Sequence, residues 1–505
     1  MERVPSSPVL SCAEAKAWES SLLRDEEAEW AAMQRAGTAL AAALADDCRE
    51  IGGLPEAARL LVLAGKGHNG GDALLAARAL LQDRPQSRAT VVLAFGAGEL
   101  RPLAGRSLDW LKRDAPGRVE LRPAEEALVR GARYDLCLDG LFGFQFRPPM
   151  DDATSRLLRQ VNEHDGIRFR AAVDLPSGAG ETNAAVLFRA DFTYATGIVK
   201  HPVLSPRITN AVGRLRFLDL GFFSDGEPPG AGERVLTAEC LAAFARLRAA
   251  QTDKRSFGHL LVIGGSGSYP GAVVLAVRAA LRSGVGLVTA CVPESLVPEY
   301  AARHPEAMWV GCPVTAAGGL AAGTVDRVRE RLPRATALLM GPGLGTAPET
   351  LAALQDIVRI AHIPLVLDAD ALRAEVVALA ADKAFICTPH AGEFERIVSR
   401  LFAAERFTPP KGVLVLKGPL TRVTDGTTIY HSPFGGPVLA RGGSGDVLAG
   451  LVGGLLAQAP AAPLLAAARG VVWHGRAADL LARARGQVAV EISEILEQLG
   501  PALHP

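Results

Sequence analysis

At roughly 150 residues per domain, 505 residues allow two to four domains, which excludes a single small binding module as a description of the whole chain. Lys and Arg total 54 and Asp and Glu total 54, so bulk charge offers no support for polyanion binding. Hydrophobic residues make up 49% but aromatics only 5%, so the cores are built from Ala, Val and Leu, a composition suited to helices packed on parallel strands. The 7 cysteines are scattered and never in C-x-x-C spacing, which predicts free buried thiols and neither a disulfide framework nor a zinc site.

The opening segment MERVPSSPVLSCAEAKAWE has no apolar run of signal-peptide length before Glu14 and Lys16, so a cytoplasmic chain is expected. A helix is predicted over 26–45. Runs of strand length follow at RLLVLAG (59–65), ATVVLAFG (89–96), YDLCLDG (134–140), FRAAVDLP (169–176), ADFTYAT (190–196) and RLRFLDLG (214–221), alternating with helical segments. That alternation predicts an α/β fold with a parallel sheet covered on both faces. Between 222 and 234 the text turns to SDGEPPGAGE, a linker by composition, which sets the expected domains at 1–225 and 226–505. The alternation then restarts with HLLVIGG (259–265), GLVTACV (286–292), ALLMGPG (337–343), PLVLDAD (364–370), AFICTP (384–389) and GVLVLKG (412–418). The uncharged stretch 447–468 has the length of a bilayer span, but Gln458, Pro460 and Pro463 divide it into two buried helices and a turn.

In the first half, Gly65-Lys66-Gly67-His68-Asn69-Gly70-Gly71-Asp72 lies between a strand and a helix predicted over 73–81. Glycines at a helix N-terminus read as a phosphate cradle; a turn with Asp72 as N-cap is the alternative. Asp139 ends a later strand and leads into Gly140-Leu141-Phe142-Gly143, and Asp174-Leu175-Pro176-Ser177-Gly178 ends the next. Oxygens from Asn69, Asp139 and Ser177 make a hard-cation set, since alkali and alkaline-earth ions select oxygen ligands.

The second half is richer. Arg441-Gly442-Gly443-Ser444-Gly445-Asp446 stands directly before an apolar helix, where inward-turned amides form an anion hole for a phosphoryl group in transfer. Asp446 is then placed to take the proton of an attacking hydroxyl; a simple N-cap with packing glycines is the alternative. Lys417-Gly418-Pro419-Leu420-Thr421 offers a cation and a hydroxyl for nucleotide phosphates. Three further strand ends carry Thr388-Pro389-His390-Ala391-Gly392-Glu393, Gly341-Pro342-Gly343-Leu344-Gly345 and Gly264-Gly265-Ser266-Gly267-Ser268-Tyr269-Pro270-Gly271-Ala272. Ligands in open parallel sheets bind beyond such strand ends.

In order and spacing these second-half motifs, with Lys254-x-x-x-Gly258 and Asp368-Ala369-Asp370-Ala371-Leu372, resemble the ribokinase-like ADP-dependent NAD(P)H-hydrate dehydratase family over about 235–500. The resemblance implies that Ala272, Gly343, His390 and Asp446 contact a hydrated nicotinamide dinucleotide, with Asp446 catalytic. It assigns ADP to Lys417, Gly418, Pro419, Leu420, Thr421 and Gly445, and calls for Mg2+. The first half resembles the NAD(P)H-hydrate epimerase domain over about 10–225, which implies a Rossmann-like sandwich. By that resemblance K+ sits at Asn69, Asp139 and Ser177, and substrate contacts fall on His68, Asn69, Gly70, Gly71, Asp72, Gly143, Phe144, Gln145, Phe146, Arg147 and a catalytic Asp174. The chain departs from the family pattern at His68, Ala73, Gln145, the loop after Ser177, Ala391 and the 434–440 segment.

The implied activity is metabolite repair: R and S hydrates of NADH or NADPH are epimerised, and the S hydrate is dehydrated with ADP, releasing AMP and phosphate. The expected partners are small molecules, with no nucleic acid and no membrane, and the expected assembly is a homo-oligomer. The alternatives are a small-alcohol kinase, whose anion hole and base are the same, and a first half that binds nucleotide without catalysis.

Overall fold

The computed structural model describes residues 3–128, 131–228, 230, 232–401 and 412–504, so Pro229 and Ala231 of the expected linker lie outside the described residues. The chain forms two compact units. One comprises Ser7–Val235 with Ala482–Gly486; the other comprises Met1–Ser6, Leu236–Leu481 and Gln487–Pro505. The exchange of short segments at both ends of the chain has no counterpart in the composition.

In the N-terminal unit the strands are β1 (Ser6–Leu10), β2 (Arg59–Ala64), β3 (Arg88–Leu93), β4 (Val119–Pro123), β5 (Leu136–Gly140), β6 (Arg170–Val173), β7 (Phe192–Thr196), β8 (Val199–Lys200) and β9 (Arg214–Leu218). They form a parallel sheet in the order β4-β3-β2-β5-β6-β7-β9, while β1 pairs with β8. The two-residue period of β2 sends Leu60 and Val62 to one face and Leu61 and Leu63 to the other. The first pair packs with Leu44, Leu74 and Leu108 of helices Glu26–Cys48, His68–Asp83 and Pro102–Asp114. The second packs with Leu157 and Val161 of helix Asp152–Asn162. Strand order reverses between β2 and β5, opening a crevice at their carboxyl ends.

Glu233–Leu236 is strand β10, so the linker read from composition is too long at its C-terminal end, and Arg234 pairs with Glu227 at 3.0 Å. The acidic and basic residues there are spent on a half-buried ion pair and a strand start, which composition reads as solvated loop.

The C-terminal unit continues with β11 (His259–Ile263), β12 (Leu287–Pro293), β13 (Met308–Cys312), β14 (Ala337–Met340), β15 (Leu365–Leu367), β16 (Phe385–Cys387), β17 (Gly412–Leu416), β18 (Thr421–Thr424) and β19 (Ile429–Ser432). The order is β13-β12-β11-β14-β15-β16-β17-β18-β19. It is parallel as far as β17 and closes with an antiparallel meander. Here the switch point lies between β11 and β14. The uncharged 447–468 stretch falls in helices Ser444–Gln458 and Pro463–Arg485, as its prolines predict. Among the described residues no helix is long and apolar enough to cross a membrane. All 7 cysteines are free and buried.

Candidate active sites

At the β2/β5 switch point a cavity of about 560 Å³ opens. His68, Asn69 and Asp72 reach it from the helix that follows β2, Gly143 to Arg147 from the loop after β5, and Asp174 from the end of β6. Gly70 and Gly71 do not line it. A Cβ on Gly70 would lie 2.3 Å from the Gly65 carbonyl oxygen and one on Gly71 2.2 Å from Met33 Cε, so these glycines seat the helix against its neighbours. His68 is half exposed, with Nε2 3.3 Å from Glu29.

Gly67, not Asp72, is the N-cap of helix His68–Asp83. Asp72 is buried inside the first turns, and its Oδ1 has no hydrogen-bond partner among the described residues. Burial, then the carboxylates of Asp174 and Glu19, push its pKa well above the usual carboxylate range.

The three oxygen donors read as a cation set belong to one network. Ser177 donates to Asp139 from Oγ at 2.6 Å and from its backbone N–H at 2.7 Å. Ser177 Oγ accepts from the Phe142 N–H at 2.9 Å, and Asn69 Nδ2 donates to the Phe142 carbonyl at 2.9 Å. Asp139 is fully buried, and burial raises its pKa to about 6 although these hydrogen bonds oppose the shift. Among the described residues it has no basic partner, and a buried carboxylate lacking a counter-charge suits a monovalent cation.

Two side chains on this cavity escaped sequence reasoning. Lys200 is 1% exposed and its Nζ lies 2.6 Å from Asp174 Oδ1; Glu19, from helix Cys12–Leu22, stands 3.6 Å from the same ammonium. The available signals were a lone lysine closing the apolar run Gly197-Ile198-Val199 and the Ser11-x-x-Glu14 capping box that starts the helix.

In the C-terminal unit the predicted residues gather at the carboxyl ends of β11, β14, β15, β16 and β17. Gly343 has φ 65°, and a Cβ there would meet the Tyr269 carbonyl oxygen at 2.4 Å and Ala272 Cβ at 3.0 Å, so the two loops touch. Lys417 Nζ binds Asp368 Oδ1 at 3.0 Å and lies 4.0 Å from Glu393 Oε2. Thr388 Oγ1 donates to the same Asp368 oxygen at 2.7 Å. His390 is exposed; its Nδ1 accepts from Gly392 N–H at 3.1 Å, and its backbone bridges to Lys417. Gly445 packs beside the ammonium, a Cβ there falling 3.2 Å from Lys417 Nζ. Gly418 and Pro419 are exposed at the β17–β18 turn, which Thr421 Oγ1 closes onto the Gly418 carbonyl at 3.4 Å; Leu420 completes it.

Asp446 caps nothing. The N-cap of helix Ser444–Gln458 is Gly443, in the left-handed region at φ 92°, and the Asp446 carboxylate accepts no hydrogen bond from the described residues. Burial first, then the charge of Asp368, raises its pKa to about 7, against the opposing pull of Lys417. A carboxylate poised near neutrality at a glycine-rich helix N-terminus is equipped to accept a proton while the amides hold an anion. Asp368, quoted only as part of a motif, anchors Lys417. The two non-glycine residues with positive φ among the described ones are Asp174 at 65° and Ala369 at 46°, one in each cluster.

A family model described as NAD(P)H-hydrate dehydratase matches residues 260–500, and one described as YjeF-related protein N-terminus matches residues 30–202. The chain is 36% identical over 499 residues to a bifunctional NAD(P)H-hydrate repair enzyme Nnr of Gloeobacter violaceus, covering 94% of this chain and 93% of that protein. It is 33% identical over 466 residues to the protein of the same name from Moorella thermoacetica, covering 87% and 86%. Among solved structures, an ADP/ATP-dependent NAD(P)H-hydrate dehydratase from Bacillus subtilis co-crystallized with ATP and Mg2+ matches at 27% identity and TM-score 0.43, covering 53% of this chain and 96% of that one.

Proposed function

The chain belongs to the family of bifunctional NAD(P)H-hydrate repair enzymes, and on that premise we propose how its residues divide the work. The epimerase is assigned to 1–225 and the dehydratase to 226–505. In the dehydratase half, Asp446 removes the proton of the hydrate's ring hydroxyl, whose oxygen attacks the β-phosphoryl group of ADP. AMP leaves, and loss of phosphate from the ring, together with a proton from the neighbouring ring carbon, restores the double bond of NAD(P)H. The amides at the start of helix Ser444–Gln458 hold the charge that develops on the phosphoryl oxygens. Lys417 supplies the cation beside them, and Ala272, Gly343 and His390 hold the dinucleotide. The observation that carries this reading is the unpartnered Asp446 carboxylate, with its pKa raised to about 7. A bound Mg2+ would screen the nucleotide phosphates; the described residues offer no cluster of three or more His, Cys, Asp or Glu side chains for it, so we assign it to the phosphates themselves.

In the epimerase half, Asp174 acts on the hydrate in the cavity. K+ would be held by Asn69, Asp139 and Ser177, where it would neutralise the buried Asp139 carboxylate and attract substrate phosphate. Free thiols at every cysteine suit a reducing, cytoplasmic compartment.

Chromatographic measurement of both hydrate epimers over time, with and without ADP, tests the reading. Without ADP the pure R hydrate should relax to an R and S mixture faster than it does spontaneously. With ADP both epimers should disappear as NAD(P)H, AMP and phosphate accumulate. Accumulation of a stable phosphorylated product would make this half a kinase, and R relaxing only at its spontaneous rate would make the first half a binding module.

A further inference from the structure

Deep in the N-terminal cavity lies a charge cluster in which Lys200 and Glu19 have no role in the family reading. Lys200, at the end of β8, carries its ammonium 2.6 Å from Asp174 Oδ1, 3.6 Å from Glu19 Oε1 and 4.8 Å from the Phe144 ring centroid. A buried ammonium is sustained only by compensating charge, which Asp174 and Glu19 supply here, and Asp72 lines the same cavity. Those groups come from separate elements: Glu19 from the first helix, Asp72 from helix His68–Asp83 and Asp174 from the end of β6. Cys12 is the remaining titratable group whose charge is felt at Lys200.

Asp174 is unusual in its own right. Its backbone is held at φ 65°, and its N–H donates to the Tyr194 carbonyl at 2.8 Å. Its Oδ1 is taken by Lys200, while Oδ2 has no hydrogen bond from the described residues although the residue is only 5% exposed. Strain fixes where the carboxyl group starts, and the ammonium fixes which oxygen is free. We propose that Lys200 is the positioning residue of the epimerase half: its ammonium ties back one oxygen of Asp174 and leaves the other presented to the substrate cavity.

This inference rests on the epimerase reading of that cavity, and the wild-type control separates the two. Lys200→Met keeps the length of the side chain and removes its charge. Epimerisation of the pure R hydrate without ADP is followed by chromatography at pH 7, and thermal melts of the same sample report on folding. Loss of the ammonium unties Oδ1 and leaves the Asp174 carboxyl group free to turn, so turnover should suffer more than binding. At pH 7 kcat should fall at least 10-fold with KM changed less than 3-fold, and Lys200→Arg should recover part of the loss. Should Lys200→Met fail to fold, Lys200→Gln, which keeps a donor without charge, is read by the same criteria. An unchanged kcat in a folded neutral variant overturns the role of Lys200 and leaves the epimerase reading standing. A wild type that does not epimerise overturns both.

Discussion

Asp446→Asn separates a general base from a structural cap through two readouts that move in opposite directions. The amide is nearly isosteric with the carboxyl and cannot accept the hydroxyl proton, so ADP-dependent dehydration should fall by roughly 10²- to 10⁴-fold, about 3 to 5 kcal/mol of transition-state stabilisation. In the wild type the rate should rise with pH through about 7, because the base must be ionised to act. Stability should respond with the other sign. A carboxyl whose pKa in the folded chain is about 7, above the unfolded value of 3.8, binds its proton more tightly when folded, so its contribution diminishes as pH rises from about 4 through 7. The shift of about three units corresponds to an upper bound of about 4 kcal/mol, which water reaching a half-buried carboxylate reduces to ~1–2 kcal/mol. Asparagine removes that penalty, so the variant should melt roughly 2–6 °C above wild type at pH 8 and close to it at pH 4. Chromatography of the hydrates and thermal melts at the two pH values supply both measurements. A variant that keeps most of its dehydration rate, or melts lower than wild type at pH 8, would make Asp446 a structural residue and refute the reasoning.

Lys417→Met should shift the rising limb of the dehydration pH profile above about 7, since Lys417 opposes the upward shift of Asp446, and an unmoved limb would detach the lysine from the base. Gly343→Val places a branched side chain at φ 65° against the Tyr269 carbonyl and should cost more than about 2 kcal/mol, with the affinity for the S hydrate lost before the fold; melts and KM decide. For the cation set, melts in K+ and in tetramethylammonium should differ for the wild type and coincide for Asp139→Ala; equal melts for the wild type would count against the site.

Alternation of apolar runs with helical segments was sufficient for two parallel α/β sheets, because strands buried on both faces leave unbroken apolar text such as Leu60 to Leu63 or Leu260 to Ile263. Strand-end glycines and polar residues likewise pointed to the clusters around Asn69, Lys417 and Asp446, since loops at carboxyl ends are written locally in the chain. Edge strands were illegible: Val119–Pro123 and Met308–Cys312 are half solvated and carry no such run. Tertiary structure alone decided which charges meet. Lys200 and Asp174 lie 26 residues apart and Lys417 and Asp368 49 apart, on strands that are not paired with each other, and only the folded chain brings each pair within 3.0 Å. The same holds for the caps: along the chain an N-cap was the alternative reading of both Asp72 and Asp446, but Gly67 and Gly443 take that place. The helices begin earlier than the aspartates allow, which leaves the two carboxylates without a backbone partner and their pKa values raised. Local pattern determines where a ligand is received, because it is set by the backbone of a single loop. Proton affinity is a sum over burial and charges from several elements, and that sum exists only once the chain has folded.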